Sequence, residues 1–403
     1  MIGDSDVGRA IGVEMTETGG ALLAGLRVVE VSSFVAAPLG GMTLAQLGAE
    51  VIRVDPEGGG PDIGRWPVAA SGTSLYWTGL NKGKRSVTAD FRSAEGQRQI
   101  SDLITEAGAD RGILLTNAVG RAFLDDEVLR ARRPDLIHLR IQGRRDGTAA
   151  VDYTVNAATG FPLVTGPPEH GGPVNHVLPA WDIACGLYAA LGIVAAERRR
   201  ARTGEGCHVS VALRDVALAM AGNLGMLAEA QLGAARERIG NHVYGGFGRD
   251  FTCRDGERVM VLALTPRHWR DLVAVTGTTR PVRALEEGLG ADFTRDADRY
   301  TYREALAALF GRWFGERTVG EVTAALTGTA VLWDRYRTFA DLVDDPELAA
   351  NPLMSTLDQP GVGPYLAPGC PLSVDGRVSP AVPAPRLGAH TGEVFGSADD
   401  GVS

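Results

Sequence analysis

A chain of 403 residues, 44% of them hydrophobic, is long enough for two or three domains with a sizeable buried core. Forty Lys+Arg against 49 Asp+Glu leave a formal charge of −9, which excludes a nucleic-acid binder working through overall charge. A charged fraction of 22% excludes wholesale disorder. Glycine stands out at 53 residues and marks loops where the backbone turns or approaches something closely. Cys185, Cys207, Cys253 and Cys370 form no CxxC pair, so neither a zinc ribbon nor a disulfide framework is indicated, and a reducing cytoplasm fits. The first twenty residues lack the apolar block of a signal peptide. The run from Ile183 to Ala196 is too short to span a bilayer and reads as a buried helix. The expectation is a soluble cytoplasmic protein with neither membrane nor nucleic acid as a partner.

In chain order, a polar leader over 1–21 gives way to a strand at Leu26–Val31, a turn at Phe34–Pro38, a helix at Thr43–Leu47 and a strand at Val51–Val54. Strand, helix, strand in so few residues is a βαβ unit and implies a parallel sheet. Further strands are predicted at Ser86–Ala89, Gly112–Thr116 and Leu136–Ile141, with a helix over Glu95–Glu106 between the first two. Residues 151–235 read as mostly helical, most clearly Asp182–Arg202, where Ile183, Leu187, Leu191 and Val194 share one face. From residue 236 a Gly/aromatic loop, a hairpin (Arg249–Cys253 and Val259–Leu264) and further helices read as a smaller α+β domain over 236–330. The Pro-rich tail, 331–403, is expected to return to the large α/β domain, which spans 22–235.

The turn Ser32–Pro38 lacks the GxGxxG that brings backbone against a pyrophosphate, so the βαβ start is no nicotinamide-dinucleotide fingerprint. Asn81–Ser86 is a dense basic patch. It reads either as a solvated turn or as a collar for a phosphorylated ligand, and Arg144-Arg145 carries the same ambiguity. Arg198–Arg202 reads as helix capping. Asp182, at the predicted start of the long helix, reads as an N-cap or as a carboxylate nucleophile kept ionised by the helix N-terminus. The small residues that follow it, Ala184, Cys185 and Gly186, would leave room for a substrate. The residues alone do not separate these readings. Asp152 is a second carboxylate near a helix start, and His176 lies six residues before Asp182. The seven histidines show no metal-ligand spacing, and no metal is expected. The loop around Tyr244, Gly245 and Gly246 is either a glycine-hinged lid or an ordinary domain entry.

Several segments together resemble the class III CoA-transferases, the family of formyl-CoA transferase, the carnitine CoA-transferases and α-methylacyl-CoA racemase. They are Gly25–Glu30 with Ala36-Ala37-Pro38, Leu47–Val54, Asn81–Ser86, Arg202–Gly206 and Pro385–Thr391. The resemblance covers about residues 22–396. It implies an α/β fold with a Rossmann-like large domain built from both chain ends, a smaller inserted α+β domain and an interlocked homodimer. It also implies an acyl-CoA substrate and no cofactor beyond coenzyme A itself. Ser33–Gly48, Gly143–Gly147, Val151–Asn156 and Val174–Ile183 resemble a branch of the family that moves CoA between the two carboxyl groups of one branched C5 dicarboxylate. The competing reading within the family is transfer between an acyl-CoA and a separate free acid.

The family's catalytic aspartate opens an Asp-x-x-x-Gly segment, matched here by Asp182–Gly186, so the resemblance makes Asp182 the nucleophile. It places CoA contacts at Val35, Ala36, Ala89, Asp90, Phe91, Arg92, Asn117, Ala118 and Arg121, with Asp152 beside the thioester. His176, Tyr244, Gly245 and Gly246 are candidates for the acyl group. Two departures matter. Pro56 stands where formyl-CoA transferase has an arginine, which leaves Arg53 or Lys84 to meet the CoA phosphates. Val151 stands where the racemase branch needs a histidine, which argues against proton exchange.

Overall fold

Four consecutive buried residues, Val28–Val31, make β1 (Arg27–Val31) a strand covered on both faces. The computed structural model describes residues 21–234 and 236–396, so the leader expected over 1–21 lies, residue 21 apart, outside the described residues. After β1 come α1 (Ala36–Gln46), β2 (Glu50–Pro56), α2 (Leu75–Leu80), β3 (Arg85–Ala89), α3 (Ala94–Thr105), β4 (Ile113–Thr116), α4 (Asp126–Arg132) and β5 (Ile137–Gln142). Then follow α5 (Asp152–Ala157), α6 (Phe161–Val164), α7 (Ala180–Thr203) and β6 (Cys207–Ala212). The six strands form one parallel sheet in the order β3-β2-β1-β4-β5-β6. The strand order reverses between β1 and β4. In an open parallel sheet such a switch opens a crevice at the carboxyl ends of the strands.

The fold is α/β, as expected, with local differences. α1 starts at Ala36 rather than Thr43 and so absorbs the expected turn. Pro38 is tolerated because it sits in the first turn, whose N–H groups have no intrahelical acceptor. Gly40 and Gly41 are not breakers but contact points. A Cβ on Gly41 would lie 1.7 Å from Glu30 Oε2, and one on Gly40 would lie 2.9 Å from the Gly186 carbonyl. β6 falls inside the stretch read as helical. Its alternation of half-buried and exposed residues is that of an edge strand.

α7 buries a different face from the one its large apolar residues suggested. Cys185, Gly186, Ala189, Ala190, Ile193 and Ala196 face α1 and the strands β5 and β6, while Leu187 and Leu191 are 50% and 63% exposed. Small side chains win the buried face because α1 lies too close for anything larger. By length and composition α7 could cross a bilayer, yet it packs here against α1 and the sheet. Its arginines do more than cap it. Buried Arg200 donates to the carbonyls of Ala109, Arg111 and Gly112, and Arg199 to those of Glu205 and Gly206.

The chain forms two compact units. Among the described residues, the first takes those from 21 to 152, Ala180–Val216 and 349–396; the second takes Tyr153–Pro179 and Ala217–Leu348. The sequence reading set its boundaries instead at 236 and 330. The C-terminal stretch joins the first unit through His390 N–H to the Ser86 carbonyl, Gly388 N–H to Ser86 Oγ and Lys82 Nζ to the Pro368 carbonyl. In the second unit, β7 (Phe247–Thr252), β8 (Arg258–Ala263) and β9 (Leu332–Arg335) form an antiparallel sheet in that order. Phe247, Trp269, Phe293 and Phe310 pack edge to face or tilted in its core.

Candidate active site

The turn from β1 into α1 is pinned from two sides. Ser33 N–H donates to Asn117 Oδ1 at 3.0 Å, and Asn117 Nδ2 donates back to the Ser33 carbonyl at 2.8 Å, which ties the carboxyl ends of β1 and β4 together. Phe34 adopts a left-handed φ of 65°, held by its N–H donating to Asp62 Oδ2 at 3.0 Å. Val35 and Ala36 are buried at the start of α1. Ala89 ends β3, and the Arg121 guanidinium lies 5.5 Å from the centroid of buried Phe91. The expected CoA residues Val35, Ala36, Ala89–Arg92, Asn117, Ala118 and Arg121 therefore all follow the carboxyl ends of β1, β3 and β4. Of their charged side chains, Asp90, Arg92 and Arg121 are exposed.

Arg53 and Lys84 do not fit the phosphate role suggested for them. Arg53 is 1% exposed and donates to Asp55, Asp62, Asn81 and the Ser32 carbonyl. Lys84 Nζ is buried at 2.8 Å from Glu30 Oε2 and also donates to the Pro38 carbonyl and Asn81 Oδ1. Burial pulls the Lys84 ammonium down to about 8, opposed by Glu30. The basic patch is thus an internal ion network beneath α1. Lys84 is taken by Glu30, Lys82 by the Pro368 carbonyl and Arg85 by Glu50 and Glu393, while Asp55 and Asp62 hold Arg53, so neither sequence alternative, solvated turn or phosphate collar, describes the patch.

Asp182 lies in the first turn of α7, half-buried. The helix is capped by another residue. Asp152 Oδ2, itself 2% exposed, accepts from Trp181 N–H at 2.8 Å and Asp182 N–H at 3.2 Å. Asp182 is consequently not held strongly ionised by the helix end, as the sequence reading supposed. Burial, reinforced by the Asp152 charge and opposed by Arg65, pushes its carboxyl up to about 7. A carboxylate that ionises near neutrality, freed from capping duty, is suited to attack a carbonyl. Gly186 serves packing rather than substrate room: a Cβ there would sit 2.6 Å from the Ala36 carbonyl. The DxxxG pattern thus couples the helix carrying Asp182 to the turn carrying Val35 and Ala36.

Two residues that sequence reasoning missed stand in the electrostatic reach of Asp182. The Arg65 guanidinium lies 5.0 Å from the Tyr76 ring centroid and 5.5 Å from that of Phe34. Arg65 is exposed, and burial raises the Tyr76 phenol, opposed by the Arg65 charge and reinforced by that of Asp182. Neither belongs to a recognisable local motif, since α2 is short and the 57–74 segment before it carries little regular structure.

His176, Tyr244, Gly245 and Gly246 belong to the second unit. His176 is half-buried. Tyr244 is engaged within that unit: its hydroxyl donates to Glu229, and the Arg236 guanidinium sits 3.9 Å from its ring centroid. Gly245 takes a left-handed φ of 78°. Arg145 pairs with Asp215 at 2.7 Å.

The candidate site thus rests on a parallel sheet with its switch point at β1 and β4 and on an aspartate freed from capping its own helix. The chain belongs to CoA-transferase family III, whose family model matches residues 23–391. It is 50% identical over 379 residues, 93% of both chains, to 2-methylfumaryl-CoA isomerase of Chloroflexus aurantiacus. It is 28% identical to succinyl-CoA:mesaconate CoA-transferase of Haloarcula hispanica, over 93% of this chain and 96% of that one. A CaiB/BaiF family protein from Brucella suis superposes with a TM-score of 0.76 at 27% identity, covering 92% of this chain and 98% of that chain.

Proposed function

We propose that this protein moves CoA within one acyl group, converting 2-methylfumaryl-CoA to 3-methylfumaryl-CoA. The observation that carries the reading is the 50% identity, across 93% of both chains, to a 2-methylfumaryl-CoA isomerase, with Asp182 in place at the start of α7. Ionised Asp182 attacks the thioester carbonyl; the C–S bond breaks and a mixed anhydride forms with release of CoA thiolate. The thiolate attacks the aspartyl carbonyl, giving an aspartyl-CoA thioester and free methylfumarate. The other carboxylate of that acid attacks the enzyme thioester, releasing thiolate once more. Attack of the thiolate on the acyl carbonyl then delivers the isomer and restores Asp182. Bonds and charges balance without a metal or redox partner.

In this reading CoA lies along the carboxyl ends of β1, β3 and β4, with Arg92 and Arg121 exposed for its phosphates. Asp152 fixes and tunes Asp182 from the thioester side. Arg65, a cation held between two aromatic rings within reach of the Asp182 charge, reads the free carboxylate of the acyl group. The exposed Leu187, Tyr188 and Leu191 on α7 form the surface on which a second copy of the chain packs, making a homodimer. Four free thiols suit a cytoplasmic enzyme.

The test incubates the purified protein with 2-methylfumaryl-CoA and isotope-labelled free mesaconate, following both isomers by chromatography and mass. Conversion without label in the product is the expected result. Label uptake would establish transfer between separate molecules, as in the Haloarcula relative's name, and absence of conversion would overturn the isomerase reading.

A further inference from the structure

The fold brings together three potential ligands that are far apart in linear spacing: Asp126 at the start of α4, His138 on β5 and His208 on β6. The two histidines are register partners on adjacent parallel strands, their rings edge to face at 4.8 Å. His138 Nδ1 lies 3.3 Å and His208 Nδ1 3.6 Å from the same oxygen, Asp126 Oδ1. A tetrahedral ion with bonds of about 2.0–2.1 Å has ligand–ligand edges of roughly 3.3–3.4 Å, so two edges are already close to the required length. All three ligand atoms fall within 4.8 Å of one another. The last edge closes by rotating His208, whose side chain is 39% exposed.

The second observation is the state of His138. It is fully buried, yet among the described residues neither ring nitrogen makes a hydrogen bond. The Nδ1 contact with Asp126 Oδ1 at 3.3 Å lacks hydrogen-bond geometry, a costly arrangement for a buried imidazole, and an ion between the two would satisfy both atoms. Arg130 donates through Nε to both Asp126 oxygens, at 3.1 and 3.0 Å, in the outer position that orients ligating carboxylates. We propose that Asp126, His138 and His208 bind a divalent transition-metal ion of the zinc class, with water in the fourth, solvent-facing position. Two imidazoles and one carboxylate suit Zn2+, Co2+ or Ni2+ better than Mg2+ or Ca2+. His138 and His208 are the second residues of β5 and β6, at the opposite end of the sheet from the CoA edge. The ion would therefore clip the edge strand β6 to α4 and take no part in acyl transfer.

The test uses chelator-treated, substrate-free protein titrated with cobalt chloride and then zinc chloride. Saturable visible d–d bands at one equivalent, displaced by zinc, and a zinc-dependent rise in Tm are expected. His208→Gln and Asp126→Asn should each weaken binding more than about tenfold, since loss of even an outer partner costs 10–100-fold. The isomerase activity of both variants should match the parent's. Absence of bands and of a Tm shift up to millimolar metal, or undiminished binding in either variant, would overturn the site. His138 is left intact in both variants because its burial makes folding itself the risk.

Discussion

Asp152 does two things to Asp182 at once. One of its oxygens accepts the backbone N–H groups of Trp181 and Asp182, and its negative charge helps to push the Asp182 carboxyl up to about 7. The cap fixes where the Asp182 backbone stands, and the charge helps to set when its carboxyl ionises. Asp152 Oδ1, buried and with no hydrogen bond among the described residues, keeps that charge poorly compensated. The two roles separate chemically, because an amide can accept the same backbone bonds without the charge.

In Asp152→Asn, the cap survives while the like charge goes, so Asp182 ionises at lower pH. For the parent, kcat/KM should climb through pH 7 as Asp182 loses its proton, falling about tenfold per unit well below that point. In the variant this limb should move to lower pH with little change in the plateau. A limb that stays in place would show that Asp152 does not tune Asp182.

Asp182→Asn should abolish turnover, by at least about 1,000-fold, while making the fold more stable. The sign follows from the raised carboxyl. A group that ionises more readily unfolded than folded costs stability once ionised, and the cost grows as pH rises from about 4 to about 7. With allowance for partial exposure, the gain in the variant should be about 1–3 kcal/mol above neutrality and small near pH 4. Urea unfolding at both ends of that range checks it. A variant no more stable at high pH would mean that the fold does not raise the Asp182 carboxyl.

Gly186→Ala tests the coupling of α7 to α1. The added Cβ meets the Ala36 carbonyl at 2.6 Å, which is backbone and cannot swing away. Overpacking of this kind costs about 1–3 kcal/mol, and here it pushes apart the helix carrying Asp182 and the turn carrying Val35 and Ala36. A lowered Tm together with a raised KM for the acyl-CoA is expected. Full activity with full stability would show that the contact relaxes freely.

The parallel sheet was legible from the sequence because its strands are short apolar runs between clear stops: five of the six appear within a residue or two of their predicted places. β6 was not, since a half-exposed Cys-His-Val-Ser-Val-Ala edge carries no apolar run. The face of α7 was misread because hydrophobicity favours Leu187 and Leu191, whereas close helix contact selects Gly186 and Ala189. Asp182 was visible as a residue with two roles, and the structure assigns the capping role to Asp152 instead. The fate of Lys84 could not be read locally, because its partner Glu30 lies 54 residues away. Arg65 and Tyr76 were invisible for the same reason: their relation to Phe34 and Asp182 exists only in three dimensions.

Lys84→Met separates an internal ion network from a phosphate collar. Removing the ammonium leaves Glu30, 0% exposed, with Arg53 Nη1 at 3.8 Å as its nearest remaining cation. Breaking a buried pair from one side costs about 3–5 kcal/mol. The variant should unfold at markedly lower urea while the residual folded enzyme keeps its KM for the acyl-CoA. A large rise in KM without loss of stability would return Lys84 to the CoA phosphates.

Arg65 is the residue through which the proposed substrate can be distinguished from simpler acyl-CoA esters. Its guanidinium is held by the Phe34 and Tyr76 rings and left exposed, so it can accept a planar carboxylate in two parallel hydrogen bonds. Its charge also lowers Asp182, against burial. Arg65→Met removes both effects, whereas Arg65→Lys keeps the charge and loses the paired geometry. With a dicarboxylate thioester, Arg65→Met should lose roughly 100-fold or more in kcat/KM, the scale of one charge-assisted bidentate contact. Arg65→Lys should recover part of this and keep the acid limb of the pH profile where the parent has it, while Arg65→Met moves that limb to higher pH. The aspartyl exchange of CoA from a thioester lacking the second carboxylate should be affected far less in KM by either change. Equal losses with both thioesters would mean that Arg65 serves Asp182 alone and that another group reads the far carboxylate.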